Sequence, residues 1–165
     1  MSKVVFITPN LTRSVREEPV GTLLLATILR NNGIDASILQ FYDFGDMSSF
    51  DVFLDNAIRS ISELRPKIIS FYTRCDTYHI SLKLAAQLKH TLPGAYIVFG
   101  GPQADISATQ TLNAFPYVDF ICCGEGENVV TPFFTSLLAN QPDLSTPGLV
   151  SGRTPLLSQI RAPCS

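Results

Sequence analysis

The 165-residue sequence has little charge and no long apolar run. Charged residues make up 16% of it, against about 25% in a typical globular domain. Twelve basic residues are outnumbered by fourteen acidic ones, which argues against a nucleic-acid binder with a broad basic face. Because no apolar stretch reaches the roughly 18–20 residues of a membrane span, we expect no transmembrane helix and no membrane partner.

The amino terminus lacks the features of a signal peptide. Residues 4–7 are apolar and follow Met1-Ser2-Lys3 at once, without a long apolar region or a small-residue cleavage site. We therefore predict a cytoplasmic protein.

Cysteine and histidine are too sparse or too scattered for a disulfide framework or a metal cluster. The four cysteines, Cys75, Cys122, Cys123 and Cys164, contain no C-x-x-C spacing, and the two histidines are eleven residues apart. We interpret the cysteines as small buried hydrophobic residues in a reducing compartment.

Strand and helix patterns alternate along the chain. Short apolar runs predict strands at residues 3–8, 35–42, 67–73, 95–99 and 119–123. Helical periodicity or capping signals predict helices at residues 20–32, 50–64, 76–91, 107–115 and 128–140, with a loop at residues 11–19. This is an α/β fold with a doubly wound, five-stranded parallel sheet. We assign residues 1–140 to this domain and the proline-rich residues 141–165 to a linker or the truncated start of a further domain.

Small and turn-forming residues follow four of the predicted strands. They are Pro9-Asn10, the segment from Ser70 to Thr73, Gly100-Gly101-Pro102 and Gly124-Glu125-Gly126-Glu127. In doubly wound sheets, ligands bind at the carboxyl ends of the strands. Glycines allow a bulky ligand to approach the backbone, and nearby helix starts offer free N–H groups. The turns at these strand ends suit a large cofactor with a phosphate or amide-rich tail.

No catalytic motif accompanies the turns at these strand ends. The sequence lacks G-x-G-x-x-G after the first strand, G-x-x-x-x-G-K-[ST] and G-x-S-x-G. The acidic clusters of a response regulator are also missing, because Pro9-Asn10 and Tyr72-Thr73 occupy those positions. We assign no catalytic residue and no metal ligand.

Four stretches resemble the amino-terminal cobalamin-binding domain of cobalamin-dependent radical SAM proteins. Residues 19–33 match its first-helix pattern P-x-G-x-x-x-L-A-x-x-L-R-x-x-G, and residues 67–73 are similar to its third strand, with Ser70 at the strand serine. Residues 98–104 resemble its G-G-P-H turn, with Gln103 in place of histidine. Residues 119–127 match D-x-x-x-x-G-E-G-E.

The resemblance implies a flavodoxin-like sheet of order 2-1-3-4-5, with the corrin across the strand ends and the nucleotide tail beside them. It implies contacts to cobalamin from Thr8, Pro9, Asn10, Ser70, Thr73, Gly100, Gly101, Pro102, Gly124, Glu125, Gly126 and Glu127. The family's histidine ligand to cobalt has no counterpart, because residues 10–21 contain no histidine.

The C-x-x-x-C-x-x-C motif of an iron–sulfur cluster is also absent from the sequence. An iron–sulfur cluster and S-adenosylmethionine would therefore belong to a radical SAM catalytic domain outside this chain, in cis or in trans. Two alternatives stay open: a degenerate domain that acts only as a structural or docking piece, and a nucleotide- or flavin-binding enzyme on the same kind of sheet.

Overall fold

A computed structural model describes residues 3–11, 19–45 and 47–152. Its strands are β1 (Val4–Thr8), β2 (Ala36–Gln40), β3 (Ile68–Tyr72), β4 (Tyr96–Gly100), β5 (Phe120–Cys122) and β6 (Leu149–Ser151). Its helices are α1 (Val20–Asn31), α2 (Phe50–Glu63), α3 (Tyr78–Thr91), α4 (Pro102–Ala114) and α5 (Glu127–Leu138), and a 3₁₀ turn, Phe41–Phe44, follows β2. Most of the predicted loop at residues 11–19 lies outside the described residues.

The strands form one sheet of order β2-β1-β3-β4-β5-β6. Every neighbouring pair from β2 to β5 is parallel, which confirms the predicted α/β fold and its order 2-1-3-4-5. The central strands are apolar without interruption because helices cover both faces of the sheet.

The sixth strand was not predicted. β6 pairs antiparallel with β5, and the Cys123 N–H donates to the Gly148 carbonyl at 2.7 Å where the chain turns back. Gly148 has a φ of +81°, and a Cβ there would lie 2.7 Å from the Cys123 carbonyl oxygen. A three-residue strand is too short for alternation to reveal it. The division between residues 1–140 and 141–165 stays a prediction, and residues 153–165 lie outside the described part.

The two faces of the sheet carry separate cores. Helices α2, α3 and α4 pack on one face, around a cluster that includes Phe53, Phe71 and Phe99. Helices α1 and α5 pack on the other face, around a cluster that includes Phe6 and Phe133. Adjacent residues of a strand point to opposite faces, so each strand contributes to both cores.

Helix α4 begins earlier than predicted. Sequence analysis placed it at residues 107–115, whereas the structure begins it at Pro102. Proline suits the first helical position, where its missing N–H would have had no partner. Ser107 has a non-helical backbone (φ −116°, ψ 18°) that divides the helix, so the pattern revealed only the part after this kink.

The described cysteines are free thiols that differ in exposure. Cys122 and Cys123 are half-buried, as suits small apolar residues. Cys75 is exposed, so the predicted burial is wrong at that position. It lies in the turn between β3 and α3, where no helix covers it. Cys164 lies outside the described residues. Among the described residues, no helix is long and apolar enough to cross a membrane.

Candidate functional site

A cleft opens between the sheet and the helices α1 and α5, at the carboxyl ends of the strands. Ser70 pairs with Phe6 on β1 and with Val98 on β4, and these three side chains face α1 and α5. Gly100 lies two residues beyond Val98 and faces the same side. Side chains on this face of β4 therefore become smaller toward the end of the strand, which leaves space below the helices.

The cleft has a volume of about 210 Å³. Sites that enclose a whole small-molecule ligand usually measure about 300–1,000 Å³. A cleft of this size has room for one group of a larger ligand rather than for the whole ligand. The apolar side chains of its lining include the buried Phe6, Val98, Val129, Val130 and Phe134 and the half-buried Leu25.

Ser70 is a polar group in this apolar surrounding. It is only 9% exposed and lines the cleft. Among the described residues its hydroxyl has no hydrogen-bond partner. A serine hydroxyl can donate one hydrogen bond and accept two, and leaving it unpaired in a dry site costs free energy. Ser70 is thus available to a ligand group that enters the cleft.

Thr73 fixes the turn that forms one edge of the cleft. Its Oγ1 donates to the Gly100 carbonyl at 2.9 Å and accepts from the Ala104 N–H at 3.0 Å. Gly101 lies between these partners with a φ of +95°, and a Cβ there would meet the Thr73 backbone N and O at 3.0 Å. Only glycine suits this backbone conformation and this close approach.

Asp105 connects that turn to the loop after β5. Its carboxylate accepts the Gly124 N–H at 3.3 Å, while its own N–H donates to the Gly101 carbonyl at 3.1 Å.

Burial, and secondarily the nearby Cys123 and Asp105, raises the pKa of Cys122 to about 12. Cys122 therefore lines the cleft as a neutral thiol rather than as a thiolate.

The loop after β5 forms the opposite edge. A Cβ at Gly126 would lie 3.0 Å from Leu25 Cδ1, so this glycine lets the loop contact α1 closely. Glu127 begins α5, where the helix dipole favours a carboxylate, and Glu125 is exposed at the open end.

Exposed apolar side chains lie on the segments that contribute to the cleft. Tyr72, which lines the cleft, ends β3 and is 39% exposed. Val20, next to the lining residue Gly21, begins α1 and is 69% exposed. Leu11, after β1, and Leu24, in α1, are also exposed. Such apolar surface suits a large ligand that lies partly outside a narrow cleft.

Seven of the twelve residues predicted from sequence line this cleft: Ser70, Gly100, Gly101, Gly124, Glu125, Gly126 and Glu127. The other five are Thr8, Pro9, Asn10, Thr73 and Pro102, which belong to the same strand ends but not to the cleft lining. Thr73 and Pro102 shape the turn after β4. Thr8 is fully buried, and the Asn10 side-chain amide donates to Gln40 Oε1 at 2.8 Å. A role of any of the twelve in cofactor binding stays a prediction.

Sequence analysis missed the apolar part of the cleft. Period-two alternation starting from Ser70 could have indicated Val98 on the paired strand, whereas Leu25 and Phe134 come from helices that meet only in the folded chain.

The aspartate of the D-x-x-x-x-G-E-G-E stretch lies at the other end of β5. Asp119 Oδ2 accepts the Ile97 N–H at 2.8 Å and pairs with Lys89 Nζ at 2.7 Å. Lys89 also donates to the Ala95 carbonyl at 2.8 Å. This aspartate therefore joins β5 to β4 and α3 and does not contribute to the cleft.

Comparison with known proteins identifies the fold and the family. The sequence profile of the B12 binding domain matches residues 10–133. This chain belongs to the B12-binding domain family.

The related proteins are much longer than this B12-binding domain. The chain is 27% identical over 130 residues to the 2-(S-pantetheinyl)-carbapenam-3-carboxylate methyltransferase of Streptantibioticus cattleyicolor (strain ATCC 35852 / DSM 46488 / JCM 4925 / NBRC 14057 / NRRL 8057). That alignment covers 76% of this chain and 18% of the enzyme.

Two solved structures share the fold. The radical S-adenosylmethionine methyltransferase TsrM of Kitasatospora setae, with cobalamin and a [4Fe-4S] cluster bound, superposes with a TM-score of 0.72 at 17% identity, over 92% of this chain and 29% of that one. TsrM with tryptophan and a SAM analogue gives a TM-score of 0.71 at 16% identity, over 90% and 28% of the two chains. The B12-binding domain spans less than a third of each relative.

The residues of the cleft fit the nucleotide tail of cobalamin. The buried, unpaired Ser70 hydroxyl lies among apolar side chains, which suits a planar base with few polar atoms. Above it, Gly100 presents no side chain that would fill the space. In the described part of the chain, no group of three or more His, Cys, Asp or Glu residues could hold a metal ion. The apolar lining and the Ser70 hydroxyl suit an organic part of the cofactor.

Proposed function

We propose that this domain carries cobalamin for methyl transfer by a radical SAM catalytic domain, joined in cis or supplied in trans. The cleft with the unpaired Ser70 hydroxyl carries the proposal, because it offers a dry site and one polar contact to a single group of a larger ligand. When bound, the cofactor would supply a cobalt centre that exchanges a methyl group.

Each part of the cleft has a role in this proposal. Ser70 would bond a ring nitrogen of the base at the end of the nucleotide tail. Thr73 and Asp105 would hold in place the glycine-containing turns after β4 and β5. Their hydrogen bonds connect the end of β3, β4, α4 and the loop after β5. The exposed Tyr72 and Val20 would contact the corrin at the open end.

The reaction itself needs parts that this sequence does not contain. The proposed iron–sulfur cluster and S-adenosylmethionine site would belong to the catalytic domain, because this chain has no C-x-x-x-C-x-x-C motif. Support comes from the methyltransferases to which the chain is similar. A cytoplasmic location is part of the proposal, since the free thiols Cys75, Cys122 and Cys123 suit a reducing compartment.

Binding is tested by incubating the protein with hydroxocobalamin and recording the visible spectrum after gel filtration. We expect a stoichiometric corrinoid spectrum in the protein fraction of the wild type. Gly100→Val should abolish it, because the new side chain would fill the cleft at a strand position that valine tolerates.

The matched control is Gly94→Val. Gly94 lies in the turn before β4, and a Cβ there meets nothing within 4 Å. This variant should bind like the wild type. If both variants still bind corrinoid, the cleft is not the binding site. If the wild type never retains corrinoid, a structural or docking domain is favoured instead.

Methyl transfer is tested by reducing the cobalamin-loaded domain to cob(I)alamin with titanium(III) citrate. S-adenosylmethionine is then added together with the radical SAM domain of a related methyltransferase. We expect methylcobalamin and S-adenosylhomocysteine to form in equal amounts only when that domain carries an intact iron–sulfur cluster. A cobalamin-loaded domain that never gains a methyl group would contradict the proposed reaction while leaving cofactor binding intact.

A further inference from the structure

The side chains that line the cleft offer few hydrogen-bonding groups. Most of its apolar side chains are buried: Phe6, Val98 and Phe134, for example, are each at most 4% exposed. Apart from Ser70, the buried polar side chain in the lining is Thr22, which is 5% exposed. Cys122 adds a neutral thiol, which is only a weak hydrogen-bond donor. The carboxylate of Glu125 belongs to the loop after β5, and that of Glu127 to the first residue of α5.

We propose that this domain discriminates between corrinoids by the base at the end of the nucleotide tail, and that it selects a benzimidazole over a purine. The inference rests on the proposed function, because it assumes that the tail enters the cleft. The two kinds of base are planar bicycles of similar size, so a cleft of about 210 Å³ does not separate them by volume. Their polar atoms differ.

A count of hydrogen-bonding groups favours the benzimidazole. Beyond the nitrogen attached to the ribose, a benzimidazole has one ring nitrogen to satisfy, and the Ser70 hydroxyl can donate to it. An adenine has three ring nitrogens and an amino group. The Ser70 and Thr22 hydroxyls can donate one hydrogen bond each, so buried polar atoms of adenine would stay unpaired. A single unpaired buried group weakens binding by about tenfold or more.

The test compares three corrinoids in their dicyano forms, in which cyanide displaces the base from cobalt and leaves its ring nitrogens free, on the full 165-residue chain. Equilibrium dialysis, followed by visible absorption, gives the dissociation constants of cobalamin, its adeninyl analogue and cobinamide, which lacks the nucleotide tail. We expect cobalamin to bind at least about tenfold more tightly than the adeninyl analogue, and cobinamide to bind more weakly than cobalamin.

The outcomes separate this inference from the proposed function. Equal affinity for cobalamin and its adeninyl analogue would overturn the selectivity while leaving cobalamin binding intact. Equal affinity for cobinamide and cobalamin would overturn it too, because the tail would then contribute nothing. Binding of none of the three would contradict the proposed function itself.

A near-isosteric substitution tests the cause of the selectivity. Val98→Thr keeps the β-branched shape and adds a hydroxyl beside Ser70, on the paired strand. It should lower the ratio of the two dissociation constants severalfold. Val52→Thr makes the same exchange at an exposed position of α2 and should leave the ratio unchanged. A folded Val98→Thr variant with the wild-type ratio would overturn the inference that the base lies against β4.

Discussion

The two faces of the sheet differ most at the level of the strand ends. On the α2/α3/α4 face, Phe71 and Phe99 are fully buried with their ring centroids 5.1 Å apart. On the α1/α5 face, the neighbouring positions of the same strands hold Ser70 and Gly100, and a cleft opens there. One face is filled by the protein's own side chains, and the other leaves room for a ligand.

The difference shows how a short strand can serve two purposes. Because adjacent residues point to opposite faces, a strand can place a large aromatic residue in the core and a small one beside a ligand at the next position. Stability should therefore depend mainly on the filled face, and cofactor affinity on the open one.

The largest expected effect comes from removing a ring on the filled face. Phe99→Ala should lower the free energy of unfolding by about 3–5 kcal/mol, because it leaves a cavity between Phe71 and Tyr78. Ser70→Ala, on the open face, should change it far less, since its hydroxyl has no partner among the described residues. Urea denaturation followed by circular dichroism measures both. Similar losses in the two variants would contradict the division of roles between the faces.

A smaller loss is expected where the cleft edge depends on glycine. Gly101→Ala should destabilise the protein by about 1–3 kcal/mol, because it forces a positive φ on alanine and brings Cβ within 2.9 Å of Tyr72 Cδ2. Thermal or urea unfolding measures the loss. Gly94→Ala, where a Cβ meets open space, is the matched control and should be neutral or slightly stabilising. Equal stability of the two variants would show that the turn relaxes freely.

Much of the sheet and seven of the nineteen residues that line the cleft could be predicted from sequence, because both depend on local patterns. Apolar runs identify the strands, and the glycines at the end of β4 and after β5 indicate turns at the carboxyl ends of these strands. Gly100, Gly101, Gly124 and Gly126 were found in this way, and all of them line the cleft.

The rest depends on contacts between distant segments. Leu25 and Gly126 are about a hundred residues apart in sequence, and their approach follows from the packing of α1 against the loop before α5. The start of α4 was missed because a kink at Ser107 interrupts its periodicity. No local pattern specifies such features, since tertiary packing selects among conformations that the sequence alone permits.

The smallest expected effect is the pH dependence that Cys122 contributes on the open face. Burial, and then the nearby Cys123 and Asp105, raises the pKa of Cys122 from its ordinary 9.0 to about 12. Between these values the unfolded chain loses a proton that the folded chain keeps. The free energy of unfolding should therefore fall as the pH rises above 9, by at most about 1.4 kcal/mol per pH unit. Urea titrations of the wild type and Cys122→Ser at pH 7 and pH 10 measure this loss, which the variant should lack. Cys75→Ser, at an exposed position, should retain it. Identical pH dependence in the wild type and Cys122→Ser would mean that the thiol ionises as readily in the cleft as in the unfolded chain.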